Sequence, residues 1–305
     1  MRLFDLTRRC SLVLPCLIQF LLISIDAVFN TEVNLDFVCP KCGGKLTELS
    51  GIKKCPLGHS FDRAKEGYYN LLLGAGGGVH GDNREMLEAR RRFLGAGHYE
   101  PLCRLLGDRL LPVLHVGGCA LDAGCGEGYY TDAIEKRAFE RDGVSNILAL
   151  DISRDGVRIA SKRNRRVSFA VASSYAMPIE SSSLDVVLNV FSPMAEDEVF
   201  RVLKPDGKFI LVYPDTHHLW ELKTAIYDNP YENKTELSAP RGFSLLTSDS
   251  LKYTVELNQG QIADLFLMTP YAYRTGERDR EKLAKLDSLT IRVEFCIDVY
   301  EKRKD

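Results

Sequence analysis

From Leu121 to Tyr213 short apolar runs alternate with segments of helical spacing. Leu121 leads an apolar stretch into a glycine-rich turn, and Asn146–Leu150 is a second apolar run that closes on Asp151. Val167–Ala172, Leu184–Phe191 and Lys208–Tyr213 follow as third to fifth strands. Residues 154–163 read as a helix, and Val199–Leu203 as a helix end halted by Lys204-Pro205-Asp206-Gly207. Strands that alternate with helices build right-handed βαβ units, so the expected fold is α/β with a largely parallel, Rossmann-like sheet. Upstream, Gly81–Leu94 reads as an amphipathic helix that turns Met86, Ala89 and Phe93 inward. The tail from 224 reads as a loop before further helices and strands. In it Ile291–Ile297 alternates like a late antiparallel strand, while 275–282 offers no apolar face.

The turn after Leu121 carries the first chemistry. Asp122-Ala123-Gly124-Cys125-Gly126-Glu127-Gly128 places three glycines at every second position. Without a side chain the backbone can turn sharply and approach a ligand closely. In open α/β sheets ligands sit beyond the strand carboxyl ends, and an acidic residue about 20 positions on binds ribose hydroxyls. Asp151 stands there, although a helix N-cap would also explain it, with Ser153 following. The run D-x-G-C-G-E-G differs from the dinucleotide pattern G-x-G-x-x-G and resembles motif I of the class I S-adenosylmethionine-dependent methyltransferases.

A second pattern precedes it. Cys39 and Cys42 form one knuckle; twelve residues later Cys55 and His59 form another. This spacing suits one tetrahedral zinc ion, and four protein ligands leave no open position, so the site is expected to be structural. Disulfides or free thiols are the alternative, and nine cysteines with a histidine as fourth partner weigh against it. Cys103, Cys119, Cys125 and Cys296 show no metal spacing and read as small apolar fillers.

Between the two lie 60–72, a glycine-rich stretch from Gly74 to Gly81 that reads as a loop, and the basic run Arg90-Arg91-Arg92. That run is either a solvated helix end or a phosphate contact. The 305 residues carry a net charge of −2, so no global basic field marks nucleic-acid binding. The length leaves room for a core domain and a smaller companion.

The blocks C-P-x-C, C-P-x-G-H, F-D-x-A-K-E-G-Y, A-R-R-x-F-L-x-x-G-H-Y-x-P-L and L-D-x-G-C-G-E-G-Y-Y-T together resemble the 23S ribosomal RNA (guanine-N1)-methyltransferases, from about Cys39 to the C-terminus. The resemblance implies a class I methyltransferase sheet with a small N-terminal zinc-binding module. It implies S-adenosylmethionine as cofactor, one structural zinc ion, and a large-subunit rRNA hairpin as partner. Tyr99, Gly126, Glu127 and His218 match the family's cofactor contacts, and Asp122, Gly124, Gly128 and Asp151 complete the expected site. Tyr99 could instead anchor the helix before the core. Asn189, Ser192 and Pro193, after the fourth strand, are the candidates to face the target base, with no proton acceptor assigned.

The expected organisation is 1–30 as a hydrophobic extension, 36–73 as the zinc module, 74–110 as linker and helix, and 111–305 as the methyltransferase domain. Arg2, Arg8 and Arg9 precede a short uncharged run that could be a targeting segment, an anchor or an over-extended start. Membrane contact, if any, would run through it. A plastid or mitochondrion is favoured for a eukaryotic host, the cytoplasm for a bacterial one, and a homodimer stays open. Competing readings are a methyltransferase acting on a quinone or other metabolite and an inactive zinc-dependent RNA-binding protein.

Overall fold

The computed structural model describes residues 35–74, 83–143, 145–235 and 238–304. The hydrophobic extension and nearly all of the glycine-rich stretch expected as a loop lie outside these residues.

In chain order the elements are β1 (Thr47–Leu49), β2 (Ile52–Lys54), β3 (Ser60–Asp62), β4 (Tyr69–Asn70), α1 (Arg84–Gly95), α2 (Glu100–Leu110), β5 (Cys119–Ala123) and α3 (Tyr129–Asp142). They continue as β6 (Asn146–Asp151), α4 (Arg154–Arg163), β7 (Ser168–Val171), β8 (Leu184–Val190), α5 (Glu196–Val202), β9 (Leu203–Pro214) and α6 (Trp220–Ile226). The chain ends with β10 (Phe243–Asn258), α7 (Gln259–Leu267), α8 (Tyr271–Arg274), α9 (Glu277–Ala284) and β11 (Ser288–Lys302).

Strands β1 to β3 form a small antiparallel sheet. The main sheet has eight strands in the order β10-β11-β9-β8-β5-β6-β7-β4. From β4 to β9 neighbours run parallel, and β11 lies antiparallel between β9 and β10. The order reverses at β5, where chain crossovers depart in both directions and leave a crevice at the strand carboxyl ends.

Alternate residues of these strands point to opposite faces. Ala120, Ala149, Phe169, Val186 and Leu188 pack with α1 to α4, α6 and α7. Leu121, Leu148, Leu150, Ala170 and Val187 pack on the other face with Val199 and Val202 of α5 and with Phe37, Cys39, Leu46 and Cys55. The small β1–β3 module therefore supplies part of the layer that covers the second face. Val38 N–H donates to the Pro178 carbonyl at 2.8 Å, and β4 pairs with β7. Lys53, nearly buried, ion-pairs with Asp36 and lies 4.7 Å over the Tyr69 ring.

Two expectations change in detail. The Lys204–Gly207 turn does not stand outside the fifth strand: β9 already begins at Leu203. Its pairing with β8 shifts register between Leu184 and Val186, and Asp206 adopts φ 63° within the shift. The late strand extends well beyond 291–297, because its pairing with the sixteen-residue β10 carries it to Ser288 and Lys302. Most of the polar stretch at 275–282 falls in the exposed α9, in which only Leu283 is buried.

Candidate functional site

The glycine turn links β5 to α3. Gly124 N–H and Cys125 N–H both donate to the Leu150 carbonyl, at 2.8 and 3.0 Å, which ties the turn to the end of β6. Gly124, Gly126 and Gly128 take φ of 94°, 54° and 80°, a region that side-chain-bearing residues rarely enter. Space is also short. A Cβ on Gly124 would lie 2.1 Å from Ser192 Oγ, and one on Gly128 would lie 2.7 Å from the Ala160 Cβ.

Asp151 closes the turn from the neighbouring strand. Its Oδ2 accepts from Gly126 N–H at 2.9 Å, and its Oδ1 from Ser153 N–H at 2.7 Å. The N-cap of α4 is Ser153, which accepts from Gly156 N–H at 3.2 Å. Asp151 is thus held at the strand end and is not the cap.

Asp122 is buried beneath the turn. Thr131 Oγ1 donates to its Oδ2 at 2.5 Å, and Oδ1 has no hydrogen-bond partner. Burial pushes its carboxyl up to about 7, opposed by the Thr131 bond. Glu127 is also buried, with Arg163 2.6 Å away. Burial raises its pKa, opposed by the charges of Arg163, Arg90 and Arg91.

An aromatic wall forms around Phe295. Tyr99, buried at the start of α2, meets Phe295 edge-on at 5.0 Å and lies 6.3 Å from the His218 ring. Tyr99 is buried in the core cluster and also meets Phe93 edge-on at 5.4 Å. The His218 ring lies tilted against Phe295 at 4.6 Å, and its Nδ1 accepts from Glu294 N–H at 3.1 Å. Nε2 therefore carries the proton, and burial pulls the imidazole down to about 3.

The candidates after β8 separate. Asn189 is buried; its Nδ2 donates to the Pro193 carbonyl at 3.3 Å, and its Oδ1 has no partner. Ser192 fills the space beside Gly124, and Pro193 is exposed. Sequence reading missed the residue between them. Phe191 is 43% exposed, takes φ 54°, and packs against Phe295 at 5.1 Å and Tyr130 at 6.2 Å. A bulky residue in that backbone region is an outlier, and such strain gathers at functional sites. Its place at the end of the fourth strand, between Asn189 and Ser192, was the available signal.

The basic run of α1 resolves into structural contacts. Arg92 makes a bidentate pair with Asp264 at 2.6 to 3.0 Å, and Arg90 donates to the Met268 carbonyl at 3.2 Å. Only Arg91 projects into solvent without such a contact.

In the zinc module, Cys39, Cys42, Cys55 and His59 have ligand atoms all within 4.8 Å of one another. Cys42 Sγ lies 3.6 Å from Cys55 Sγ, and His59 Nδ1 lies 3.5 and 3.4 Å from the Cys39 and Cys55 sulfurs. A tetrahedral zinc with bonds of about 2.3 Å to sulfur and 2.0 Å to nitrogen demands edges of this size. The donor set fits zinc.

The glycine turn fits S-adenosylmethionine in the same sense. It is a cradle in which a Cβ would clash, with Asp151 at its edge and unmatched acceptors on Asp122 and Asn189.

Fold and site together define a class I methyltransferase sheet that carries a zinc ribbon. A methyltransferase-domain family matches residues 121–211, and the zinc-ribbon family described as "RlmA, N-terminal" matches 37–73. A protein of Micromonospora griseorubida, with the provisional name 23S rRNA (guanine-N(1)-)-methyltransferase, is 32% identical over 260 residues, 78% of this chain and 86% of its own. A Bacillus subtilis protein with the same provisional name is 33% identical, over 82% and 90%. The 23S rRNA (guanine(748)-N(1))-methyltransferase of Streptomyces fradiae is 29% identical, over 85% and 95%. The chain belongs to the 23S rRNA (guanine-N(1)-)-methyltransferase family.

Proposed function

We propose that this protein transfers a methyl group from S-adenosylmethionine to N1 of a guanine in a hairpin of large-subunit rRNA. The observation that carries the reading is the seating of a Cys3His ribbon on the same sheet as the glycine turn, a pairing that metabolite methylation does not call for.

Gly124, Gly126 and Gly128 hold the cofactor through backbone, Asp151 takes its ribose hydroxyls, and Glu127, Tyr99 and His218 line the remainder. When bound, the cofactor supplies a methyl group already activated by a positively charged sulfur. The chain's contribution is to orient the two reactants, which can supply about 7–11 kcal/mol. The exposed Phe191 ring offers a flat surface on which a purine can stack. Asn189 offers a buried carbonyl acceptor, and Ser192 a hydroxyl beside Gly124. The neutral His218 donates through Nε2 and carries no proton that it would release at neutral pH. A stacked, unpaired guanine is the substrate form this wall accepts, so a loop guanine is favoured over one in a duplex. In a eukaryotic host, such a substrate would place the enzyme with bacterial-type ribosomes in a plastid or mitochondrion.

The test uses labelled S-adenosylmethionine with a hairpin transcript of large-subunit rRNA. Label at guanine N1 supports the reading. Cofactor binding without transfer to hairpin or whole rRNA overturns it in favour of a metabolite substrate.

A further inference from the structure

The zinc ribbon meets the core at a turn, Ala64–Tyr68, closed by Ala64 N–H on the Tyr68 carbonyl at 2.9 Å and Gly67 N–H on the Ala64 carbonyl at 2.8 Å. Three arginines lie along it: Arg63 immediately precedes the turn, and Arg154 and Arg165 come from a distant part of the chain. Arg165 Nη1 donates to the Glu66 carbonyl at 2.6 Å, Arg63 Nε to the Gly67 carbonyl at 3.3 Å, and Arg154 Nε to the Tyr68 hydroxyl at 3.4 Å. A methyl group on Gly67 would lie 3.3 Å from Arg165 Nη1 and 3.6 Å from Arg63 Nη2, so two guanidinium groups flank one point.

Close ion pairing is sparse around them, although the Asp155 and Glu66 carboxylates act on Arg154 at longer range. Among the described residues neither Arg154 nor Arg165 has a carboxylate within ion-pair distance. Arg63 has Glu48 at 3.6 Å, with both side chains well exposed. The Glu66 carboxylate lies 3.6 Å from Lys162, and Asp155 bonds Arg158 at 3.0 Å. Lys65 adds another exposed cation. Each arginine has five N–H donors and spends one on the turn, which leaves forks that match phosphate oxygens. Arg154 and Arg165 bracket α4, whose ten residues span about 15 Å, so the charges form a track rather than a point. Arg154 also stands three positions past Asp151, beside the strand ends that form the candidate site.

We infer that Arg63, Arg154 and Arg165 form a binding track for the phosphodiester backbone of the RNA substrate, at the junction of zinc ribbon and sheet. The inference rests on the rRNA reading above. The track accounts for RNA binding by a chain of net charge −2 whose more obvious basic run, on α1, is largely committed to α7 and its C-terminal end.

The test measures hairpin affinity against potassium chloride concentration for the full chain and for Arg63→Gln, Arg154→Gln, Arg165→Gln and the triple variant. Zinc content and S-adenosylmethionine affinity are measured alongside. The slope of log affinity against log salt should fall by about 0.7–0.9 for each arginine removed. KM for the hairpin should rise while kcat at saturating RNA, zinc content and cofactor affinity hold. Arg165→Lys should keep most of the slope, since it keeps the charge. If the triple variant loses zinc, the single variants decide. Unchanged slopes in variants that retain zinc, with a wild-type enzyme that methylates the hairpin, overturn the track alone and leave the arginines as a clasp between ribbon and core. A wild-type protein that neither binds nor methylates rRNA overturns the functional reading and the track together.

Discussion

Gly124→Ala probes the cradle most sharply, because two separable costs meet at that position. Backbone at φ 94° costs a side-chain-bearing residue about 1–2 kcal/mol. The new Cβ would also stand 2.1 Å from Ser192 Oγ and 2.5 Å from Ser192 Cβ, while the next atom is 3.9 Å away. Overpacking of this kind costs about 1–3 kcal/mol. The total is about 3 kcal/mol, or a fall in Tm of about 6–12 °C for a domain near this size. Ser192→Gly removes both clashing atoms and leaves the strain. The double variant should therefore recover the packing part, a coupling of about 1–3 kcal/mol between residues in contact. Urea denaturation of the four proteins measures it. A loss below about 0.5 kcal/mol in Gly124→Ala, or strict additivity with Ser192→Gly, would refute the close approach of these two residues.

Other consequences are as direct. His218 is held neutral by burial, with a folded pKa of about 3 below an unfolded value of about 6.5, so its contribution to stability is full above the unfolded value and shrinks as pH falls. Between pH 7 and pH 5 that contribution should drop by about 2 kcal/mol, and His218→Gln should lose less stability over the same interval in urea titrations. At Phe191, φ 54° favours glycine, so Phe191→Gly should be more stable than Phe191→Ala by about 1 kcal/mol. Both should methylate poorly while Phe191→Trp retains activity, and equal rates for the alanine and tryptophan variants would remove the stacking surface. Cys39→Ser should lower bound zinc from about one per chain toward none. Because Cys39 and Cys55 share a buried cluster with Leu121 and Leu150, the loss should lower the melting temperature of the whole protein rather than of a detached module. Separate calorimetric transitions would contradict this.

The parallel α/β architecture, the glycine turn, Asp151 and the four zinc ligands were all legible in the chain. Each rests on a local requirement. Buried strands need apolar runs, a left-handed turn needs glycine, and a tetrahedral ion needs donors on two short knuckles. The pairing of β4 with β7 brings Tyr69 beside Ala170 from a distant part of the chain, and no local pattern announces it. The same is true of Phe37 and Leu46 completing the sheet's second face, and of His218 accepting from Glu294 N–H.

Charge was the least readable property. Arg90 to Arg92 formed the conspicuous run, yet Asp264 and the Met268 carbonyl occupy two of its members. Arg63 adjoins the turn in sequence, but Arg154 and Arg165 reach it only after folding. A composition counts charges, and the near-neutral total concealed both outcomes. Local backbone chemistry and ligand spacing are written in short stretches of chain, so the sequence determined the sheet, the cradle and the metal knuckles. Which charges are neutralised, which apolar side chains meet, and that Phe191 sits strained and exposed at the strand end depend on contacts between distant segments. Those only the tertiary structure decided.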